Sequence, residues 1–202
     1  RTGNFTGTAF GFDGSTGIPS ALGGNYLTPS SLEVAFDESD TLKIDRLFYQ
    51  FPVGSDFTIT AGGKVRQDDM LAVWPSAYPS DTVLDYFNYA GAPGAYSLNL
   101  GAGAGIWWTN DGFSISANYV SSNGNSSNPR MGGIATDGAA GTGTVQLAYA
   151  DSNWGLAAAY NYSSKNWGSV FEATGTPLAA NVGTLGNTNS FGLSAWWEPE
   201  QS

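Results

Sequence analysis

The chain has 202 residues, a net charge of −10, only 12% charged and 14% aromatic residues, 28 glycines, and neither cysteine nor histidine. The last two absences exclude disulfides, Cys- or His-ligated zinc, and Ser-His-Asp or Cys-His nucleophiles. The acidic balance argues against a nucleic-acid partner, which needs a basic face, and no run of about 18 apolar residues could form a membrane-crossing helix.

Residues 2–12 read as a strand, followed by a Gly/Ser/Pro-rich connection at 13–30. Leu32, Val34 and Phe36 then alternate with Glu33 and Ala35. A polar turn at 38–41 leads into a strand over Leu42–Pro52, and Val53-Gly54-Ser55-Asp56 turns the chain into another over Phe57–Arg66. Setting Phe51 opposite Phe57 places Leu47, Tyr49 and Phe51 on one face with Ala61, Ile59 and Phe57. Residues 67–95 form a long acidic loop with prolines, in which Ser80–Phe87 reads as one short helix capped by Ser80 or Asp81.

Residues 96–122 read as two strands joined by the tight turn Asn110-Asp111-Gly112, where glycine tolerates a positive φ. Leu98, Leu100, Ala102, Ala104, Ile106 and Trp108 share one face of the first, and Phe113, Ile115, Ala117 and Tyr119 one face of the second. Their other faces are small, polar and almost uncharged, where an ordinary sandwich would show Lys and Glu to water. A polar loop at 122–141 precedes a second hairpin, with Val145, Leu147 and Tyr149 against Leu156, Ala158, Tyr160 and Tyr162. Another loop at 164–189 leads to a last strand through Phe191, Leu193, Ala195 and Trp197. The count is about nine strands with no domain boundary across 1–202. Short turns near 54, 111 and 152 alternate with long loops, as in outer-membrane barrels, and only the long connection at 13–30 breaks that parity. The expected fold is therefore all-β, an antiparallel transmembrane β-barrel. The opening on Arg1-Thr2-Gly3 and the end on Trp196–Ser202 lead us to expect a fragment of a longer protein.

Asp45-Arg46-Leu47-Phe48-Tyr49-Gln50-Phe51-Pro52-Val53-Gly54, the glycine-studded run Leu98–Gly105, and Val145-Gln146-Leu147-Ala148-Tyr149-Ala150 before Trp154-Gly155-Leu156 resemble cyanobacterial outer-membrane porins. That group is related to the OprB carbohydrate-porin family, and some of its members are called iron-uptake porins. The resemblance runs along essentially the whole chain; its first motif is fairly specific, whereas the Gly/Ala strand alone is weak. It implies a porin of the outer membrane passing small hydrophilic solutes or inorganic ions, in contact with outer-membrane lipid, with a homotrimer as one assembly open to it. It also implies a signal peptide, a coiled-coil segment, and a surface-layer-homology domain that grips a peptidoglycan-linked polymer, none of them present in this sequence. A barrel of about 14–18 strands is the size it implies.

By the parity above, Arg46, Lys64 and Arg66 point into the lumen with Ser114, Ser116, Asn118 and Gln146. Two readings are open for the cations: a positive strip that tunes selectivity, or charges that balance nearby acids and avoid lipid. Asp68, Asp69, Asp81 and Asp85 either face that strip across a constriction formed by an inward-folded 67–95 loop, or lie on it as solvated carboxylates. Asp37, Glu38 and Asp40 lack the spacing of an EF-type calcium loop, and Glu198 and Glu200, flanking a proline, make poor glycosidase carboxylates. No metal site, cofactor or catalytic residue is expected. Trp107, Trp108, Trp154, Trp167, Trp196 and Trp197 fit membrane-interface anchors at strand ends. Stacking on sugars is the competing reading, and with it a secreted all-β carbohydrate-binding or adhesion module.

Overall fold

The computed structural model describes residues 44–77, 89–167 and 186–199. Within them the chain is all-β: one antiparallel sheet of seven strands in sequence order. The strands are β1 (Leu47–Val53), β2 (Phe57–Arg66), β3 (Leu100–Asn110), β4 (Phe113–Ser121), β5 (Gly141–Ala150), β6 (Trp154–Ser163) and β7 (Thr188–Trp197). This count differs from the nine expected; the other two, at 2–12 and 32–36, lie outside the described residues, as does the helix expected at Ser80–Phe87.

Three tight turns join β1 to β2, β3 to β4 and β5 to β6. Asp111 and Gly112 both have positive φ (47° and 82°), the backbone of a two-residue hairpin turn whose twist matches its strands. The first hairpin is tighter than the sequence indicated. Phe51 pairs with Ile59 and Val53 with Phe57, around Gly54-Ser55-Asp56. The partner of Phe51 thus moves by two residues, an even number, so the faces are kept.

A larger correction concerns 96–99. Alternation continues through Leu98, but β3 begins only at Leu100, because Leu98 takes a positive φ of 51° and its amide turns to the Gln67 side chain. A bulge between Gly62 and Val65 is the other departure: Gly62 pairs with Gly103, whereas Val65 pairs with Gly101. It reverses side-chain parity, so Val65 joins the face of Thr60 and Arg66 comes opposite Leu100 on the other.

Direct pairs lead across the sheet from Phe57 through Trp108, Ile115, Leu147 and Ala158 to Leu193. That line starts at the first residue of β2 and ends four residues short of Trp197, the turn-side end of β7. At about 3.3 Å per residue and about 4.8 Å between strands, the stagger corresponds to strands tilted by roughly 30° from the normal to the line of turns.

Candidate functional site: a polar sheet face covered by its own chain

The two faces of the sheet are inverted relative to a water-soluble sandwich. Along β6, exposed Trp154, Leu156, Ala158, Tyr160 and Tyr162 alternate with buried Gly155, Ala157, Ala159, Asn161 and Ser163. Across β4, β5 and β7 the bulky side chains are again outside: Leu147 is 54% exposed and Leu193 86%, whereas Ser116 and Gln146 are 0% and 1% exposed. Burying a side chain such as Leu stabilises by about 1.5–3 kcal/mol, and an aqueous fold would forgo that at Ile115, Leu147, Leu156 and Leu193 alike.

What buries the small polar face is the chain between β2 and β3. From the 3-10 turn Gln67–Met70 onward, residues 67–77 lie on it, and residues 89–99 return across it. Wall residues without bulk make this close approach possible. A Cβ added at Gly192 would stand 2.8 Å from Ala95 Cβ and 3.0 Å from Ala92 Cβ, and one at Gly105 would stand 2.8 Å from Met70 Cβ. Leu71, Ala95 and Tyr96 pack on Ala159 of β6, with Trp74 set edge-on against Tyr96 at 5.4 Å. Val65, Met70 and Val120 form a second small apolar cluster.

The polar contacts converge on Gln67, which is fully buried. Its side-chain nitrogen donates to the Ala95 carbonyl (2.9 Å) and to Thr144 Oγ1 (2.5 Å), while its oxygen accepts from the Leu98 amide (2.9 Å) and Ser97 Oγ (3.3 Å). Its own amide donates to the Asn99 carbonyl, and its carbonyl accepts from Asn118 Nδ2. Gln146 Nε2 donates to the Tyr96 hydroxyl at 3.0 Å, Ser116 Oγ accepts from the Ala72 amide at 2.9 Å, and Ser194 Oγ donates to the Ala90 carbonyl at 3.2 Å. Burial pushes the Tyr96 hydroxyl above the usual phenol value, against an opposing pull from the Gln146 and Ser194 hydrogen bonds. Tyr96 therefore stays neutral through the ordinary pH range.

The structure thus brings Ser114, Ser116, Asn118 and Gln146 together on one buried face, and three of the four hold the covering segment. Asn99 Oδ1, Ser114 Oγ, Asn118 Oδ1 and Gln146 Oε1, all on or against this face, have no protein hydrogen-bond partner. The expected cations lie elsewhere, at the β1–β2 margin. Arg46 Nε donates to Asp69 Oδ2 at 2.9 Å and its Nη1 to Asp45; Arg66 is held by Asp68 at 2.5 Å; and Lys64 Nζ donates to the Ile44 carbonyl at 2.6 Å. Asp69 Oδ2 also accepts from the Arg66 amide at 2.8 Å. Asp68 and Asp69 are thus in contact with the arginines, fastening the root of the covering segment, rather than facing them across a gap. Asp81, Asp85, Asp37, Glu38, Asp40 and Glu200 lie outside the described residues.

The sequence assigned no functional role to Gln67, Tyr96, Asn99 or Asn161, since isolated polar residues carry no periodic signal. Most strand aromatics form two rows on the apolar face, whereas Trp107 and Trp196, two of the expected interface anchors, fall on the polar one beside Ser116 and Gly155. Phe57, Trp108, Phe113, Tyr149, Trp154 and Trp197 stand near the tight turns, with Phe113–Tyr149 and Tyr149–Trp154 centroids 4.8 and 5.2 Å apart. Tyr119, Tyr160, Tyr162 and Phe191 stand toward the far end, and aliphatic side chains fill the space between. No protein-family model, curated protein or solved structure matches this chain.

Proposed function

We propose that this chain is part of the wall of an outer-membrane β-barrel porin, giving passive diffusion to small hydrophilic solutes or inorganic ions. One observation carries the reading: the sheet exposes its bulky apolar face and buries its small polar one. That is how a barrel wall between lipid and an aqueous lumen is arranged. Trp154 and Tyr162, eight residues apart on β6, span about 26 Å of strand. With the stagger described above, this suits an apolar band about 25 Å tall between two aromatic girdles. The resemblance to OprB-related porins supports the same reading.

In such a barrel residues 67–77 and 89–99 lie on the luminal side and narrow the path. From β3 to β7 the luminal positions are Ser, Thr, Asn, Gln, Ala, Gly, Val and Trp, with no charged side chain among the described residues. The unpartnered buried polar atoms there suit bound water held between wall and loop.

The test is reconstitution of the full-length protein in planar bilayers, together with comparison of boiled and unboiled samples on a gel. A heat-modifiable band and discrete conductance steps are expected. A protein soluble without detergent that gives no conductance would overturn the reading in favour of a secreted binding module. Gly192→Val adds side-chain bulk beneath Ala92 and Ala95 without altering charge. It should push the covering segment off the wall into the lumen, lower single-channel conductance, and cost about 1–3 kcal/mol in stability through overpacking.

A further inference from the structure

The loop between β4 and β5 does not cross the polar face; it folds the other way. Ser121 pairs with Ala102 and Gly141, and by parity belongs to the apolar face, yet it is fully buried. Residues 122–140 cover it: its Oγ donates to the Gly133 carbonyl at 2.7 Å and lies 3.1 Å from Asn123 Oδ1. The Ala135 amide donates to the hydroxyl of Tyr119, one of the aromatics on that face, at 3.2 Å. A Cβ at Gly124 would meet both Ala102 Cβ (2.7 Å) and Ile134 Cγ1 (3.4 Å).

The loop is held in one shape. Asn123 Nδ2 donates to the Met131 and Gly138 carbonyls, both at 3.0 Å, and its Oδ1 accepts from the Ala140 amide at 2.7 Å. Backbone bonds from Gly133 to Asn123 and from Gly138 to Pro129 close it further. This fixed loop presents Met131, 72% exposed, and Ile134, 57% exposed, with Arg130 exposed beside them. Among the described residues, Ile44 is the one other large apolar side chain both exposed and off the strands.

We infer that the 122–140 loop is a membrane-surface contact that rests Met131 and Ile134 at the headgroup–acyl boundary of an anionic lipid leaflet. The inference rests on the barrel reading above. Two observations select lipid as the occupant. The loop continues the apolar face just beyond Tyr119, at the level where aromatic girdles meet headgroups. A cation next to exposed apolar side chains also suits that boundary, because its stem lies along apolar surface while its head reaches phosphate. Asp137, also exposed on this loop, is the opposing charge; Arg130 and not Asp137 adjoins Met131 in the chain.

This sequence contributes no cysteine that would compete with an introduced label. Single nitroxide labels are placed through Met131→Cys, Ile134→Cys, Asn128→Cys and Leu147→Cys in the full-length protein, in vesicles containing phosphatidylglycerol. Collisions with oxygen, which partitions into lipid, are compared with those of a water-soluble nickel chelate. The label at 147 should be oxygen-accessible, that at 128 nickel-accessible, and those at 131 and 134 on the oxygen side of 128 by at least twofold. Replacing phosphatidylglycerol by phosphatidylcholine should move 131 toward water, and Arg130→Gln should abolish that difference. Positions 131 and 134 as wet as 128, with 147 in lipid, would overturn the inference and leave the barrel standing. Shelter from both reagents would overturn it in favour of a neighbouring copy, and nickel access at 147 would overturn the membrane reading itself.

Discussion

Leu147→Arg should destabilise the folded protein by about 1–3 kcal/mol in a lipid bilayer, between the interfacial and midplane costs of such a charge. Leu147 lies on the apolar face between Ile115 and Ala158, two residues from Tyr149 of the turn-side aromatic row and 54% exposed. In water, an exposed Leu-to-Arg change on a strand stays within about 0.5 kcal/mol of neutral. The two environments therefore predict costs that differ severalfold for one substitution. Urea unfolding from vesicles measures it, and a change under about 0.5 kcal/mol would show that this face does not meet hydrocarbon.

A comparably large effect is expected from Gln67→Leu, for a different reason. The substitution keeps the volume but removes the hydrogen-bonding groups that tie residue 67 to the returning part of the covering segment at Ala95 and Leu98 and to the wall at Thr144. It leaves the Ala95 carbonyl and the Leu98 amide buried without partners, at about 1–3 kcal/mol for each, so a loss of about 2–4 kcal/mol is expected. Hydrogen exchange at the Leu98 amide should accelerate together with the loss of stability. Gln50→Leu is the control: Gln50 reaches Thr60 and the Asp69 carbonyl from a more exposed position and should cost about 1 kcal/mol or less. Equal effects at both positions would remove Gln67 from its central place.

How far the sequence could be read follows from the range over which each signal acts. Strand identity and facing depend on neighbours two apart, so the alternation at Phe113–Tyr119 and Trp154–Tyr162 was legible, as was the hairpin at Asp111-Gly112. The first hairpin slipped because Phe51 opposite Phe57 and Phe51 opposite Ile59 satisfy the same facing rule. Lys64 and Arg66 were set on the face of Thr60 because parity was carried unbroken through Gly62-Gly63, the pair of glycines that marked the bulge. The run 96–99 kept the alternation of a strand while doing something else, its geometry being set by Gln67 about thirty positions earlier. The covering of Ser116, Asn118 and Gln146 belongs to the same class. Its hydrogen-bond partners lie at Gln67, Ala72 and Tyr96, and no local pattern in β4 or β5 names them.

The order β1 to β7 has one arithmetical consequence. Seven strands that each reverse the last leave β1 and β7 running in the same direction, with β1 paired on its β2 side and β7 on its β6 side. Within hydrocarbon, a row of bare N–H and C=O groups costs several kcal/mol for each unsatisfied group, so neither edge can meet lipid unpaired. Joining the two edges directly would make a parallel seam. A wall that closes with every neighbour antiparallel must be even in total, so the proposed barrel requires an odd number of strands beyond these seven.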